Sequence, residues 1–155
     1  MSPIVVSIGS ARVLAQPAKG APDFTALLKK TAAAWETLDP TKAAPFYAKD
    51  ATLAFFDFAP MKYTGWSEYE AGSIKTFAGF SSLKIHFNDD IHAQRAGNVS
   101  WGTGTGHADV VNKDGSKMPL DFRFTCVWEK RGNDWLIVHE HFSVPLPEPP
   151  PAPTR

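Results

Sequence analysis

Apolar residues return along this chain with two different spacings, and the change from one to the other divides it. From Asp23 the spacing is three and four: Phe24, Leu27, Leu28, Thr31, Trp35 and Leu38 form one stripe of an amphipathic helix, with Asp23 placed to cap its first turn. Asp39-Pro40 reads as a new cap with proline at the first helical position, starting a short second helix through Tyr47 that Pro45 shortens. Ala51 to Phe56 is a short strand, and Met61 to Thr64 pairs back with it before Gly65 stops the pairing. A third helix follows from Trp66 or Ser67 to about Ala78, with Ser67 and Glu70 at capping-box spacing and Trp66, Tyr69, Ser73, Ile74 and Phe77 turned inward.

Beyond Gly79 the helical spacing gives way to alternation. Ser82 to Ala96 is one long strand, bulged or bent at Asn88-Asp89-Asp90, and Asn98 to Asn112 is the next. In that second strand Gly102, Gly104, Gly106 and Ala108 share a face, which marks close backbone approach or empty space. The last 25 residues of the pattern, Leu120 to Val144, form a long antiparallel hairpin about the turn Arg131-Gly132-Asn133-Asp134. Its first arm is apolar at Phe122, Phe124, Cys126 and Trp128; its second continues the even-numbered set with Leu136, Val138 and Phe142. If both sets face one core, the turn has odd length and Cys126 lies opposite Val138, Phe124 opposite Glu140 and Phe122 opposite Phe142. Helices first and a bent sheet afterwards predict an α+β fold: a cone-shaped, strongly curved antiparallel sheet with three helices, all from the N-terminal half, packed on its concave face.

At 155 residues the chain is long enough for one domain with a core and a small cavity. Residues 1–22 read as a signal remnant or a loose arm, 23–146 as the domain and 147–155 as a proline-rich tail. Ile4 to Ile8 is apolar and Val13-Leu14-Ala15 suits a peptidase site, but Arg12 follows the apolar run instead of preceding it, so export and a cytoplasmic home stay open equally. Lys plus Arg equals Asp plus Glu at 16 each, which argues against a nucleic-acid partner, and no run approaches the ~20 apolar residues of a membrane span. The single cysteine, Cys126, excludes an internal disulfide and a cysteine zinc site.

Against that background Glu140 is the anomaly: one carboxylate in an apolar set, where loss of water raises its pKa into the range of an acid or base near neutrality. Its plainer explanation is an ion pair with Arg95, Lys84 or a helix residue. Asp57, after the first strand, is a second candidate base over the cavity mouth. Trp35 and Tyr47 supply an aromatic wall and a hydroxyl, and Phe55, Phe124, Cys126, Val138 and Phe142 complete the expected pocket lining. The opposite face of the hairpin carries Arg123, Thr125, His139 and His141, with Trp101 on the neighbouring strand, a mixture suited to a wet protein interface. His107, His139 and His141 on that face are alternatively a metal site. No cofactor is called for by any motif.

The segments YAKDATLAFFD, the Gly65 that opens a helix, and FRFTCVWEKRGNDWLIVHEHFS resemble the nuclear transport factor 2-like superfamily, within it the SnoaL-like and ketosteroid-isomerase-like branch; the closing segment is also similar to the association domain of calcium/calmodulin-dependent kinase. The resemblance spans about Asp23 to Leu146. It implies a cone with a small-molecule pocket and a homodimer paired through the outer sheet face. It also implies isomerase- or cyclase-type acid/base chemistry on a hydrophobic or carbonyl-bearing molecule, or else a non-catalytic oligomerisation or ligand-sensing role. The ketosteroid isomerase groups themselves are replaced: Thr31 stands for the first-helix tyrosine, Phe124 or Cys126 for the late-strand acid, and Phe55 for the base, with Asp57 two residues on. The pocket-facing aromatic residue near the chain end is retained as Phe142.

Overall fold

In the computed structural model, residues 21–58 and 60–146 are described. Among them are helices α1 (Phe24–Trp35), α2 (Pro40–Ala43) and α3 (Gly65–Phe77), a 3-10 turn at Ala44–Phe46, and seven strands. These are β1 (Ala54–Phe56), β2 (Tyr63–Thr64), β3 (Phe80–Phe87), β4 (His92–Ala96), β5 (Val99–Asn112), β6 (Lys117–Arg131) and β7 (Asp134–Ser143). The sheet order is β2-β1-β7-β6-β5-β3, with β4 also on β5. The helices cover one face of this curved, unclosed sheet, so the α+β cone read from the sequence is what forms. One pair departs from an all-antiparallel sheet: β1 lies parallel to β7, with Phe55 beside Glu140. The leader or arm expected for 1–22 lies, apart from Ala21 and Pro22, outside the described residues, and so does the tail 147–155.

Asp23 caps α1, its carboxylate accepting from the Ala26 N–H at 3.1 Å, and Asp39 caps α2 in the same way through Thr41. Helix α1 ends at Trp35, before Leu38, which adopts a left-handed φ of 59°. Helix α3 begins at Gly65 rather than at Trp66 or Ser67, with Thr64 as its cap and the Glu68 carboxylate reaching back to the Thr64 N–H, so Ser67 and Glu70 form no capping box. The reason lies in Gly65, whose φ of 69° and contact with the Ala51 backbone allow no side chain and let the chain turn directly from strand into helix. Trp66, Tyr69 and Ser73 are buried as the spacing predicts, whereas Ile74 is 53% exposed.

Strand β6 behaves as its alternation requires: Phe122, Phe124, Cys126 and Trp128 are all buried, each worth about 1.5–3 kcal/mol of transfer free energy for the aromatic members. On β5 the glycines make room for those rings. A Cβ on Gly106 would stand 2.5 Å from the Phe122 ring, and one on Gly104 2.9 Å from Phe124, so the missing volume is filled by aromatic rings. The long strand expected over 82–96 is broken into β3 and β4. Asp90 takes the Thr105 N–H and hydroxyl, at 3.0 and 2.8 Å, and this grip turns the chain at the predicted bend.

The hairpin register differs from the expected one. Phe124 faces Phe142 and Cys126 faces Glu140, while nearer the turn Trp128 faces Ile137 and Arg131 faces Asp134. The turn is therefore the two residues Gly132-Asn133, with Gly132 at φ 62°, and not of odd length. Between the two registers Val138 is an extra residue on β7, a β-bulge. It restores the parity that the short turn breaks: Trp135 and Ile137 face inward before the bulge, Glu140 and Phe142 after it. Val138 is thus a half-buried bulge residue and not a member of the inner set.

Candidate active site

Glu140 is 2% exposed, and its inward position follows from the bulge two residues earlier. The Tyr69 hydroxyl on α3 donates to its Oε1 at 2.6 Å, and the Tyr47 hydroxyl, just past the 3-10 turn, donates to its Oε2 at 2.8 Å. Tyr47 in turn accepts from the Trp35 indole N–H at 2.8 Å. The ion pair considered for Glu140 is absent among the described residues: Lys84 pairs with Glu36 at 3.0 Å, and Arg95 lies over the Trp135 ring. Loss of water pushes the Glu140 carboxyl up to about 7, partly offset by the two tyrosine hydrogen bonds and reinforced by the nearby charge of Asp57. Burial, with the Glu140 charge second, raises both tyrosines well above their ordinary range, and Cys126 likewise.

The carboxylate opens on a cavity of about 350 Å3. Leu83 and Ile85 of β3, Ala108 and Val110 of β5, and Leu120 and Phe122 of β6 form its apolar floor. Trp35 of α1 and Tyr69, Ser73, Thr76 and Phe77 of α3 form the roof, and Asp57, Phe58 and Phe142 stand at the end nearest β1 and β7. Among the described residues no Lys, Arg or His lines it, and the ionisable groups that do are Tyr69 and the two carboxyls. Asp57 is half-buried, its carboxyl raised by burial against one stabilising N–H from Phe58 at 2.8 Å. It extends β1 past the Phe55–Glu140 pair, which brings it level with Phe142.

Of the residues named from the sequence, Glu140, Asp57, Trp35 and Phe142 meet at this cavity. Tyr47 and Phe55 stand behind the carboxylate, their rings 5.7 Å apart, and Phe124 stacks on Phe142 from the side of Gly104. Cys126 is fully buried opposite Glu140, and Val138 occupies the bulge; none of these five lines the cavity. Tyr69 and Ser73 were legible only as members of a helical stripe. The signal available was that two hydroxyl-bearing residues sit four apart on a face that core packing alone would fill with aliphatic chains.

On the outer face Arg123, Thr125 and His141 share a shallow depression with His92, and Trp101 is 36% exposed. His139 is engaged within the chain, its Nδ1–H donating to the Ala54 carbonyl at 2.7 Å, and Phe56 sets its edge against both His139 and His141. His107 stands elsewhere: it faces Asp121, while His139 faces Val127, about 20 Å along β6. Hydrogen bonds to Asp121 at 2.7 Å and Asp109 at 3.2 Å raise the His107 pKa. The three histidines proposed as a metal site therefore do not converge, and among the described residues no group of three or more His, Cys, Asp or Glu is placed to hold a metal ion.

A family model described as a SnoaL-like domain matches residues 24–147. No curated protein matches the chain. Among solved structures, a nuclear transport factor 2-like superfamily protein of Salmonella enterica superposes with a TM-score of 0.75 at 21% identity, covering 82% of this chain and 92% of that one. A Xanthomonas campestris protein described as a calcium/calmodulin dependent protein kinase II association domain gives 0.71 at 25% identity over 86% and 94%. A Streptomyces avermitilis protein assigned as a dehydratase of the same fold family gives 0.70 at 14% identity over 80% and 95%.

Proposed function

The chain belongs to the SnoaL-like domain family, and from that premise we propose that its cavity binds a small, largely apolar molecule bearing a carbonyl group and moves a proton on the carbon beside it. The observation that carries this reading is Glu140: a buried carboxyl, open to an apolar cavity, held by two hydroxyls and, among the described residues, no cation, with its pKa at about 7. Such a group is half ionised at neutral pH and serves equally as base and acid. The ionised carboxylate takes the proton from carbon, the C–H electron pair passes into the enolate, and the new O–H forms on Glu140. Tyr69, released from the carboxylate as its charge disappears, turns its hydroxyl to the enolate oxygen. Return of the proton to another carbon completes an isomerisation; loss of a β-hydroxyl, with Asp57 as the donor to the leaving water, completes a dehydration. The dehydratase assignment of a structural neighbour fits the second course. The apolar lining, with no cation among the described residues, favours neutral ligands over carboxylates or phosphates.

Proton exchange in deuterated water, followed by NMR over a panel of neutral cyclic and aryl ketones, tests this. Wild type is expected to exchange the α-protons of at least one ketone, and Glu140→Gln to lose that exchange. Equal exchange by both proteins, or none with any ketone bound in the cavity, would overturn the reading.

A second reading, pairing of two chains through the outer sheet face, is favoured by the exposed Val99 and Trp101 beside Arg123, Thr125 and His141. The structural neighbour described as an association domain is consistent with it. Light scattering is expected to give a dimer that Trp101→Glu dissociates; a monomeric wild type would refute it.

A further inference from the structure

Two hydrogen bonds end at Glu140 and a third, from Trp35, ends at Tyr47, and the three are not interchangeable, because their donors differ in what else they can do. An indole N–H only donates, whereas a phenol hydroxyl donates one proton and accepts in return. A phenol O–H also lies near its ring plane, so of its two in-plane sites one carries the proton and the other the lone pair. At Tyr47 both neighbours are fixed: Trp35 Nε1 at 2.8 Å and Glu140 Oε2 at 2.8 Å. Trp35 must occupy the lone-pair site, so the Tyr47 proton points at Oε2. Reversing Tyr47 would set its proton against the indole N–H, between two buried residues. Tyr69 carries no such constraint. Its hydroxyl donates to Oε1 at 2.6 Å, and its ring, unlike that of Tyr47, borders the cavity.

We propose that Trp35 is a positioning residue that fixes the direction of the chain Trp35 to Tyr47 to Glu140, making Oε2 a permanent acceptor and leaving Oε1, with Tyr69, as the side on which the mobile proton is gained and lost. When Glu140 is ionised, the Tyr69 hydroxyl donates a hydrogen bond to Oε1 and turns its lone pair to the cavity. When a proton arrives on Oε1, Tyr69 accepts from that new O–H and its own proton faces the cavity, ready for an oxygen of the ligand. Protonation of one carboxyl thereby changes the cavity wall from an acceptor into a donor. The other groups that face Glu140 do not compete for this proton: Cys126 is held as the thiol by burial, and Asp57 acts on it through charge. The inference rests on the acid/base reading for its use in a reaction, but the direction of the chain is a property of the ligand-free protein.

The test is a proton NMR titration of the 155-residue chain from pH 9 to 5, following the buried hydroxyl protons of Tyr47 and Tyr69, assigned by Tyr47→Phe and Tyr69→Phe. In wild type the Tyr69 signal is expected to shift several times further than that of Tyr47 as Glu140 titrates, because Tyr47 keeps its donor direction and responds only to the loss of charge on its acceptor. In Trp35→Phe, where the indole donor is gone and Tyr47 is free to reverse, the two signals are expected to shift by similar amounts. Shifts of equal size in wild type overturn the proposal by themselves, even should Trp35→Phe fail to fold, and a Trp35→Phe titration identical to that of wild type overturns it as well. Loss of ketone exchange with the NMR pattern intact removes the reaction and leaves the polarity; the opposite result removes the polarity and leaves the reaction.

Discussion

Replacing Glu140 by Gln keeps the shape of the side chain and removes its titration, and the structure fixes how stability should respond to pH. The carboxyl titrates at about 7 in the folded chain against an ordinary 4.5 when exposed. Between these values the folded chain holds a proton that the unfolded chain has released. Stability from this group is fully present below pH 4.5, falls as pH rises, and is lost by pH 7, above which the folded state carries the full cost of a desolvated charge. At ~1.36 kcal/mol per pH unit the loss amounts to about 3 kcal/mol. Other carboxylates impose slopes of their own, so the quantity to measure is the difference between wild type and Glu140→Gln in urea unfolding at pH 4.5, 5.5, 6.5 and 8. That difference is expected to shift by about 3 kcal/mol toward the variant over the range. A difference independent of pH, or one that favours wild type as pH rises, would refute the burial argument and with it the acid/base role.

Tyr69→Phe and Tyr47→Phe each remove a hydrogen bond that lowers the Glu140 pKa, so both should raise its midpoint above about 7, read from the Glu side-chain carboxyl carbon by NMR. Gly106→Ala places a Cβ 2.6 Å from the His86 carbonyl as well as against the Phe122 ring, and is expected to destabilise by about 1–3 kcal/mol in urea unfolding. Ala108→Phe puts a ring into the cavity and should abolish the fluorescence enhancement of a neutral dye such as Nile red while leaving circular dichroism unchanged. Asp121→Asn should bring the His107 midpoint down, followed through its ring protons, because that carboxylate is its leading hydrogen-bond partner.

The large elements were legible because their signals are long. Twelve residues of α1 and the four even aromatic and thiol positions of β6 each repeat a spacing several times, and no local accident overrides them. Glu140 stood out for the related reason that a charge interrupts such a repeat. What the sequence concealed depends on single residues or on meetings across the fold. The register of β7 turned on whether two or three residues make the turn and on one bulge, neither of which alternation can register. The partners of Glu140 come from α3 and from the segment after α2, 71 and 93 positions away along the chain. Tyr47 could be named as a hydroxyl, but nothing local to either tyrosine says that both converge on one carboxylate. Nor could the cavity floor be read from β3, where buried Leu83 and half-buried Ile85 alternate with exposed Lys84 and His86 but nothing local says that a hollow lies above them.

The bulge at Val138 has a chemical meaning beyond its geometry. Had β7 run on from its two-residue turn with Val138 paired in regular alternation instead of bulged, its odd-numbered members would have kept the inner side to the end: His139 would lie against Cys126 and His141 against Phe124. A chamber floored by imidazoles would then replace one floored by a carboxylic acid, from the same side chains in the same order. The conformation of one residue thus selects which kind of acid the protein keeps out of water.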